Sequence, residues 1–225
     1  MGKFDHVDLT NRVIDENPFS DLNETRLNDI FLRSKALIAY QTFADKVIEN
    51  CQNGNKIVNI GSGTGMASFY IGAKLPDSHI ICIEENENLH TVGEENLNLC
   101  YWGGSNFNIE LKHSDLTDLP VEDNYADVVY SQFSIKFWKD PVKVIQECIR
   151  ICKTDGIILI EDFNRLTNRE YLDFILDVVQ EGAEKMLHDV STGYSVEEVK
   201  TILQDANLND WKVEPFEICY IIKSK

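Results

Sequence analysis

The stretch Lys56 to Gly65, K-I-V-N-I-G-S-G-T-G, decides the fold of this chain. Its first half is a nearly unbroken apolar run, as in a strand that is covered on both faces of a sheet. Its second half carries glycines at alternate positions, Gly61, Gly63 and Gly65. Glycine tolerates positive φ and lets the backbone approach a ligand closely, so a strand followed by this loop and a helix predicts a binding site for a polar small molecule.

The spacing of the glycines separates two kinds of nucleotide-binding loop. A dinucleotide-binding loop places its third glycine five positions after the first. Met66 occupies that position here. A nicotinamide-dependent oxidoreductase on the same type of sheet is therefore a disfavoured alternative, and the chain lacks a recognisable catalytic set for it.

Strand-like and helix-like patterns alternate along the chain, which indicates parallel βαβ units. We expect an α/β fold with a doubly wound, mostly parallel, seven-stranded Rossmann-like sheet, helices on both faces and an N-terminal helical extension. The predicted parallel strands are residues 56–60, 79–83, 109–113, 126–130 and 156–160, and the helices between them are residues 66–74, 86–102 and 141–152.

The N-terminal region has a different pattern. Residues 1–25 are polar and show no period, so they suggest a loose arm or a lid. The apolar spacing of residues 27–48 predicts one long amphipathic helix or two abutting ones.

The C-terminal third also departs from the alternation. The expected elements are helices at residues 168–188 and 195–207 and a hairpin within residues 211–223. Ser195 and Glu198 have the spacing of a capping box at the start of the second helix. We place the turn of the hairpin near Pro215 and Phe216.

The composition is strongly acidic. The chain of 225 residues has 38 Asp and Glu against 21 Lys and Arg, which gives a formal net charge of −17 at pH 7. This sign repels nucleic-acid phosphates and anionic lipid surfaces, so neither partner is expected. The length suits one α/β domain with an N-terminal extension.

The cysteines and the lack of targeting signals bear on the compartment. The six cysteines form no Cys-x-x-Cys pair and no Cys/His cluster with zinc spacing, so we expect reduced thiols and no metal. The N-terminus lacks an apolar signal region, and no run approaches the roughly 20 apolar residues of a membrane span. We therefore expect a cytoplasmic protein.

Polar residues follow the ends of three predicted strands. Ligands of open parallel sheets bind at the carboxyl ends of the strands, where the direction of winding reverses. The second, third and fourth strand-like runs end in Glu84-Glu85, Asp115-Leu116 and Ser131-Gln132. A carboxylate there can accept hydrogen bonds from sugar hydroxyls or from an exocyclic amine.

These features together resemble the class I S-adenosylmethionine-dependent methyltransferase superfamily, nearest its small-molecule branch. The likeness runs from about residue 56 to residue 216 and rests on ordered matches, of which the glycine loop is moderately specific alone. The matches that follow it are I-C-I-E, D-L-T-D-L-P, Y-A-D-V-V-Y-S, D-P-V-K-V-I-Q-E-C-I-R-I-C-K-T-D-G and Y-S-V-E-E-V-K-T-I-L-Q-D-A-N-L, which begin at residues 81, 115, 125, 140 and 194.

The resemblance implies a cofactor, S-adenosyl-L-methionine, and a role for each matching position. Glycines of the loop would approach its methionine portion, Glu84 its ribose, Asp115 and Leu116 its adenine, and Ser131 the donor side of the active site. Glu85 is the alternative to Glu84 if the strand ends one residue later. The full predicted cofactor set is Asn59, Gly61, Ser62, Gly63, Gly65, Glu84, Glu85, Asp115, Leu116, Ser131 and Gln132.

One member of this set departs from the family pattern. The position two residues before Gly61 is usually acidic and interacts with the methionine ammonium group, but here it is Asn59. A charge about 4 Å from the ammonium contributes on the order of 1 to 4 kcal/mol before desolvation. Our hypothesis is that Asn59 lowers the affinity for the cofactor and that other residues of the pocket offset the loss.

The resemblance divides the chain into an N-terminal arm and helix, residues 1–50, that cover the acceptor pocket, and a cofactor-binding methyltransferase domain, residues 51–225. The expected reaction is methyl transfer to a small-molecule acceptor. Methyl transfer needs mainly alignment of the nucleophile, with a base only where the acceptor must lose a proton. No residue is clearly that base, and the candidates are Tyr40, Asp162, His188 and Tyr194.

Two alternatives stay open on the sequence alone. The first is a protein that keeps the methyltransferase fold and binds ligands without turnover, which Asn59 and the missing base allow. The second is a methyltransferase that acts on a protein. The sequence is compatible with O, N, C or S as the acceptor atom and with any oligomeric state.

Overall fold

The computed structural model describes residues 7–15 and 18–224 of the chain. Its centre is one seven-stranded sheet in the order β3-β2-β1-β4-β5-β7-β6. The strands are β1 (Lys56–Ile60), β2 (His79–Glu84), β3 (Asn108–His113), β4 (Ala126–Gln132), β5 (Cys152–Phe163), β6 (Lys212–Phe216) and β7 (Cys219–Lys223).

The first five strands are parallel, and the last two run antiparallel to their neighbours. β1 lies between β2 and β4, with Ile57 beside Ile80 on one side and Val128 on the other. The winding direction of the sheet therefore reverses at β1. The expected doubly wound, Rossmann-like α/β fold is confirmed.

Helices cover both faces of the sheet. They are α1 (Leu22–Lys35), α2 (Leu37–Glu49), α3 (Met66–Lys74), α4 (Glu87–Trp102), α5 (Pro141–Ile151), α6 (Arg169–Val179), α7 (Ala183–Thr192) and α8 (Val196–Asp205), with a short 3-10 turn at Ile135–Phe137. None of these described helices is long and apolar enough to span a bilayer.

Each face buries its own apolar cluster. On one face Phe43 and Val47 of α2 and Ile71 of α3 pack with the sheet residues Ile57 and Ile80. On the other face the apolar sides of α5 and α8 pack against alternate residues of β1, β4 and β5. Strands covered in this way explain why β1 is apolar almost throughout.

Capping residues in the sequence set the start of the helices on the second face. The Asp140 side chain accepts from the Lys143 amide at the start of α5, where Pro141 supplies a suitable φ. Ser195 and Glu198 make both bonds of the capping box at the start of α8, as predicted.

The predicted helix over residues 168–188 is wrong as a single element. The chain breaks between α6 and α7 at Gln180 and Gly182, which have φ of 50° and 99°. A Cβ on Gly182 would lie 2.2 Å from the Phe31 ring, so this turn needs glycine for space as well as for φ. The N-terminal apolar stretch forms two abutting helices, α1 and α2, which meet at Ala36, as one of the two predicted forms has it.

The C-terminal hairpin turns later than expected. Pro215 and Phe216 pair with Tyr220 and Cys219, so they belong to β6, and the turn begins at Glu217, which has φ of 53°. β6 lies at the edge of the described sheet, where it pairs with β7. A proline is tolerated there because the outer side of the strand needs no hydrogen-bond donor.

Arg165 fixes residues 7–15, here called the N-terminal arm, to the C-terminal third. Its guanidinium is 2% exposed, donates to the Leu9 and Thr10 carbonyls at 2.6 and 2.7 Å, and pairs with Glu198 at 2.7 Å. The Val13 amide also donates to a carbonyl of α7. The described arm is therefore anchored; the rest of the predicted loose arm before residue 18 lies outside the described residues.

Candidate functional site

A cavity of about 320 Å³ opens at the carboxyl edge of the sheet, where the winding reverses. Four segments form its wall: the loop after β1, the end of β2, the segment after β4, and parts of the N-terminal region. The topology brings them together because parallel strands all end at the same edge of the sheet.

The loop after β1 lies against the segment after β4. Gly61 has φ of 63°, and a Cβ on it would lie 1.8 Å from Ser134 Oγ. Trp138 Nε1 donates to that same hydroxyl at 2.9 Å and holds it in place. The close approach at Gly61 therefore excludes any side chain at this position.

Glu84 at the end of β2 determines the shape of the loop. Its carboxylate accepts from the Gly63 amide at 2.7 Å and from the Asn86 amide at 2.9 Å. The side chain is 7% exposed, and this burial raises the pKa of Glu84 while the backbone donors oppose the shift. Glu84 thus joins the glycine loop to the start of α4 at the cavity wall.

Asn59 presents a buried acceptor at the cavity wall. Its Nδ2 donates to Ser68 Oγ at 2.9 Å, and Ser68 shares a 2.7 Å hydrogen bond with the Tyr130 hydroxyl. Its Oδ1 is buried and has no hydrogen-bond partner among the described residues. A buried acceptor without a donor is costly, so this atom suits a ligand that brings a donor, such as an ammonium group.

The remaining predicted cofactor residues divide into two groups. Ser62, Glu85 and Leu116 line the cavity, and Glu85 pairs with Lys139 at 2.8 Å. Gly65, Asp115 and Ser131 are not part of the wall.

Asp115 has a local task. Its exposed carboxylate accepts from the Thr117 amide and hydroxyl at 2.7 and 2.8 Å, and these bonds lower the pKa of Asp115. This side chain therefore caps the turn that follows β3, and only its free lone pairs remain for a ligand.

Gln132 lines the cavity at the end of β4 and is hydrogen-bonded to Glu161 on β5. Gln132 Nε2 donates to Glu161 Oε2 at 2.7 Å and to the Ala39 carbonyl at 3.2 Å. Glu161 is 2% exposed, and burial raises its pKa to about 8, which the bond from Gln132 opposes. Glu161 is not among the predicted site residues, although it directly follows the fifth strand-like run as Glu84 follows the second.

Of the four candidate bases, Tyr40 alone lines this cavity. Its ring packs edge-on against Phe133, with centroids 5.5 Å apart, and burial raises the pKa of the Tyr40 hydroxyl. His188 lines an adjoining cavity of about 270 Å³, and its Nε2 lies 3.3 Å from Asp15, a residue that both cavities share.

The other two candidates have structural partners. Asp162 is buried and pairs with Lys136 Nζ at 3.0 Å, beneath the rings of Phe133, Phe137 and Phe163. The guanidinium carbon of Arg12 lies over the Tyr194 ring, 3.9 Å from the centroid of the ring. Neither Asp162 nor Tyr194 lines either cavity.

No group of three or more His, Cys, Asp or Glu side chains arranged for a metal occurs in residues 7–15 and 18–224. All six cysteines are free thiols.

The chain matches a family model and resembles proteins of one kind. Residues 58–160 match a model described as a methyltransferase domain. A demethylmenaquinone methyltransferase of Clavibacter sepedonicus is 26% identical over 164 residues, which cover 70% of this chain and 63% of that protein. Phosphoethanolamine N-methyltransferase 1 of Arabidopsis thaliana is 26% identical over 180 residues, which cover 80% of this chain and 33% of that protein.

The fold has relatives among solved structures. A protein of Methanococcus maripaludis, described as a candidate S-adenosyl-L-methionine-dependent methyltransferase, superposes with a TM-score of 0.73 at 22% identity, over 95% of this chain and 97% of that chain. The chain thus spans less than two thirds of the two curated relatives but nearly the whole of this structure.

Proposed function

We propose that this chain is a class I S-adenosylmethionine-dependent methyltransferase, which uses S-adenosyl-L-methionine as its cofactor and transfers the cofactor's methyl group to a small-molecule acceptor in the cytoplasm. One observation carries the proposal. The cavity at the reversal of the sheet combines a glycine loop that excludes side chains with the buried carboxylate of Glu84 and the unpartnered oxygen of Asn59.

These residues fit the parts of the cofactor. The free lone pairs of the Glu84 carboxylate suit the ribose hydroxyls, since its bonds to Gly63 and Asn86 leave acceptor capacity. Asn59 Oδ1 suits the ammonium group of the methionine portion. Leu116 offers an apolar surface for the adenine ring, and the free lone pairs of Asp115 are proposed to accept from its amine.

The other predicted cofactor residues are proposed to act through the backbone or from nearby positions. These are Gly61, Ser62, Gly65, Glu85 and Ser131. When bound, the cofactor supplies a methyl group that its sulfonium makes electrophilic. The protein then contributes mainly by aligning the acceptor and excluding water, which can account for several kcal/mol of the barrier.

The N-terminal region is proposed to cover the acceptor pocket. Asp15, Phe19 and Tyr40 line the cavity opposite the glycine loop. Phe19 packs edge-on against Phe137, with centroids 5.8 Å apart, which closes part of the cavity. A pocket covered in this way favours a small acceptor over a segment of protein.

Two further points support a small acceptor. Relatives named for their acceptors act on demethylmenaquinone and on phosphoethanolamine, both smaller than a protein. The net charge of −17 disfavours nucleic acid and anionic membranes.

Calorimetry on the purified chain, stripped of any bound cofactor, tests the proposal. We expect S-adenosylmethionine and S-adenosylhomocysteine to bind, NAD not to bind, and Glu84→Ala to weaken both adenosyl ligands. Glu122→Ala, an exposed site outside the cavity, is the matched control. Binding of NAD alone, or of none of the three, would contradict the proposed function; binding without transfer to any acceptor would favour a binding protein.

A further inference from the structure

The orientation of the Gln132 amide is fixed by its partners. The Ala39 carbonyl can only accept a hydrogen bond, so the Gln132 nitrogen must face it at 3.2 Å. The same nitrogen donates to Glu161 at 2.7 Å. The side-chain oxygen of Gln132 therefore points away from both.

That oxygen has no partner in the protein. Gln132 is 8% exposed and lines the cavity, and its Oε1 is buried without a hydrogen bond from any residue the structure describes. Asn28 Oδ1 and Asn59 Oδ1 are the two other such atoms among the described residues of the cavity wall. In the proposed function the ammonium group of the cofactor donates to Asn59, its ribose hydroxyls to Glu84 and its adenine amine to Asp115, so Gln132 is left for a donor from a second molecule.

The surroundings of Gln132 also suggest which molecule this is. Its neighbours are the aromatic pair Tyr40 and Phe133, on the side of the cavity that the N-terminal region closes. Glu84 and the start of α4 lie on the other side of the cavity, and there we place the ribose of the cofactor. Gln132 thus faces the space proposed for the acceptor.

The acidic groups of the cavity wall are already engaged. Glu84 accepts two backbone amides, Glu85 pairs with Lys139, and Asp15 lies 3.3 Å from His188. Burial raises the pKa of the Tyr40 hydroxyl, so it is a poor source of a phenolate. Within the described wall no carboxylate stands free to deprotonate an acceptor.

An acceptor must therefore bring its own lone pair and also a hydrogen for Gln132. An amine has both in its free-base form, which its ammonium ion reaches by losing a proton to water. A hydroxyl or a carbon acid is a weak nucleophile until a base removes its proton, and a thiolate has no hydrogen to donate. Resting on the proposed function, we propose that the acceptor is a primary or secondary amine whose N–H donates to Gln132 Oε1, with Glu161 as the positioning residue that holds the Gln132 amide.

The reaction balances without a protein base. The nitrogen lone pair forms the bond to the methyl carbon, and the carbon–sulfur bond of the cofactor breaks with its electron pair returned to sulfur. The product is a methylated ammonium, and the one proton lost overall is the one that the ammonium form of the acceptor gives to water before the attack.

A library of primary and secondary amines, each with its alcohol and thiol analogue, tests the acceptor class. Matched probes are phosphoethanolamine and 2-hydroxyethyl phosphate, glycine and glycolate, and benzylamine with benzyl alcohol and benzyl mercaptan. We expect S-adenosylhomocysteine to form with amines only. Transfer to an alcohol or thiol, or to no amine while calorimetry shows bound S-adenosylmethionine, overturns the inference and leaves the cofactor assignment standing. Failure of S-adenosylmethionine to bind overturns both.

Variants test the two residues. Gln132→Met keeps the length of the side chain but removes both its oxygen and the nitrogen that donates to Glu161 and Ala39. We expect kcat/KM for the best amine to fall by at least about fivefold to tenfold, the effect of one lost hydrogen bond. The Kd for S-adenosylmethionine should change by less than about twofold. If the affinity for S-adenosylmethionine fell as much as kcat/KM, Gln132 would be a cofactor-binding residue, as the sequence suggested, and the inference would be overturned.

Glu161 supplies the second comparison. Glu161→Leu removes the partner of the Gln132 nitrogen and should raise KM for the amine, whereas Glu161→Gln can still accept that hydrogen bond and should recover most of the loss. Thermal melting confirms that each variant is folded. Equal KM values in the leucine and glutamine variants would show that Glu161 does not position Gln132.

Discussion

Glu84 Oε2 accepts a hydrogen bond from the Gly63 amide at 2.7 Å, so one buried carboxylate holds the loop that follows the neighbouring strand. The other oxygen of the carboxylate accepts from Asn86 at 2.9 Å. The shape of the proposed cofactor site is thus set before any ligand arrives. A side chain that serves both structure and binding should show both effects when it is changed.

We expect Glu84→Gln to lower stability and cofactor affinity together. The amide keeps one acceptor oxygen and turns a donor toward a backbone N–H, which leaves one buried group unsatisfied at a cost of about 1 to 3 kcal/mol. Urea unfolding and calorimetry with S-adenosylmethionine measure the two effects. Glu85→Gln, half-buried and paired with Lys139, should cost less than about 1 kcal/mol; equal losses in both variants would contradict this role of Glu84.

Gly61→Ala should abolish most cofactor binding, because its Cβ would overlap Ser134. Gly54→Ala is the matched control: its φ of 95° is also positive, but nothing lies within 4 Å of the added Cβ. Gly54→Ala should lower the free energy of unfolding by about 1 to 2 kcal/mol, the cost of a positive φ for a residue with a Cβ. Gly61→Ala should lower it by about 1 to 3 kcal/mol more, because the added Cβ overlaps Ser134. If Ser134→Gly added to Gly61→Ala restores no stability, steric overlap is not the cause.

Asn59→Asp tests the departure from the family pattern. Ser68 can accept from Tyr130 and donate to the new carboxylate, so the chain of hydrogen bonds persists with its directions reversed. We expect S-adenosylmethionine to bind more tightly, because a charge replaces a dipole opposite its ammonium group. Methylthioadenosine, which lacks the ammonium, should bind unchanged. Unchanged affinity for both ligands in calorimetry would refute our hypothesis that Asn59 weakens binding.

Glu161 should make stability depend on pH. Its carboxyl ionises near 4.5 in the unfolded chain, whereas burial raises its pKa in the folded protein to about 8. Between these values the folded state binds more protons, so the free energy of unfolding contributed by this group falls as pH rises. Chemical denaturation from pH 5 to pH 8 should show Glu161→Gln gaining stability relative to the natural chain. Glu122→Gln, at an exposed site, should show no such trend.

Much of the fold could be predicted because its signals are local. The apolar run of β1 and the capping box of α8 each need only a few neighbouring residues, and the structure has both. The break between α6 and α7 was missed because Gln180 is not a typical residue for positive φ. The turn after β6 was misplaced because proline marks turns and edge strands equally well.

The site was harder to predict than the fold because its contacts join distant parts of the chain. The pairing of Lys136 with Asp162 and of Gln132 with Glu161 depends on which strand ends lie side by side, which no spacing reveals. A strand-end carboxylate has the same sequence pattern whether it faces a cavity or lies behind another side chain. Glu84 and Glu161 illustrate the two cases.

The anchoring of the N-terminal arm by Arg165 sets an order on folding. The bonds from Arg165 to Leu9 and Thr10 join residues 156 and 155 positions apart, and contacts between such distant residues form late. The ribosome synthesises the arm before the rest of the described chain. Arg165, which anchors the arm, and Glu198, which pairs with Arg165, are synthesised only after most of the sheet. A nascent chain must therefore hold the arm undocked until Arg165 and Glu198 have been translated, and the cavity at the carboxyl edge of the sheet closes only then.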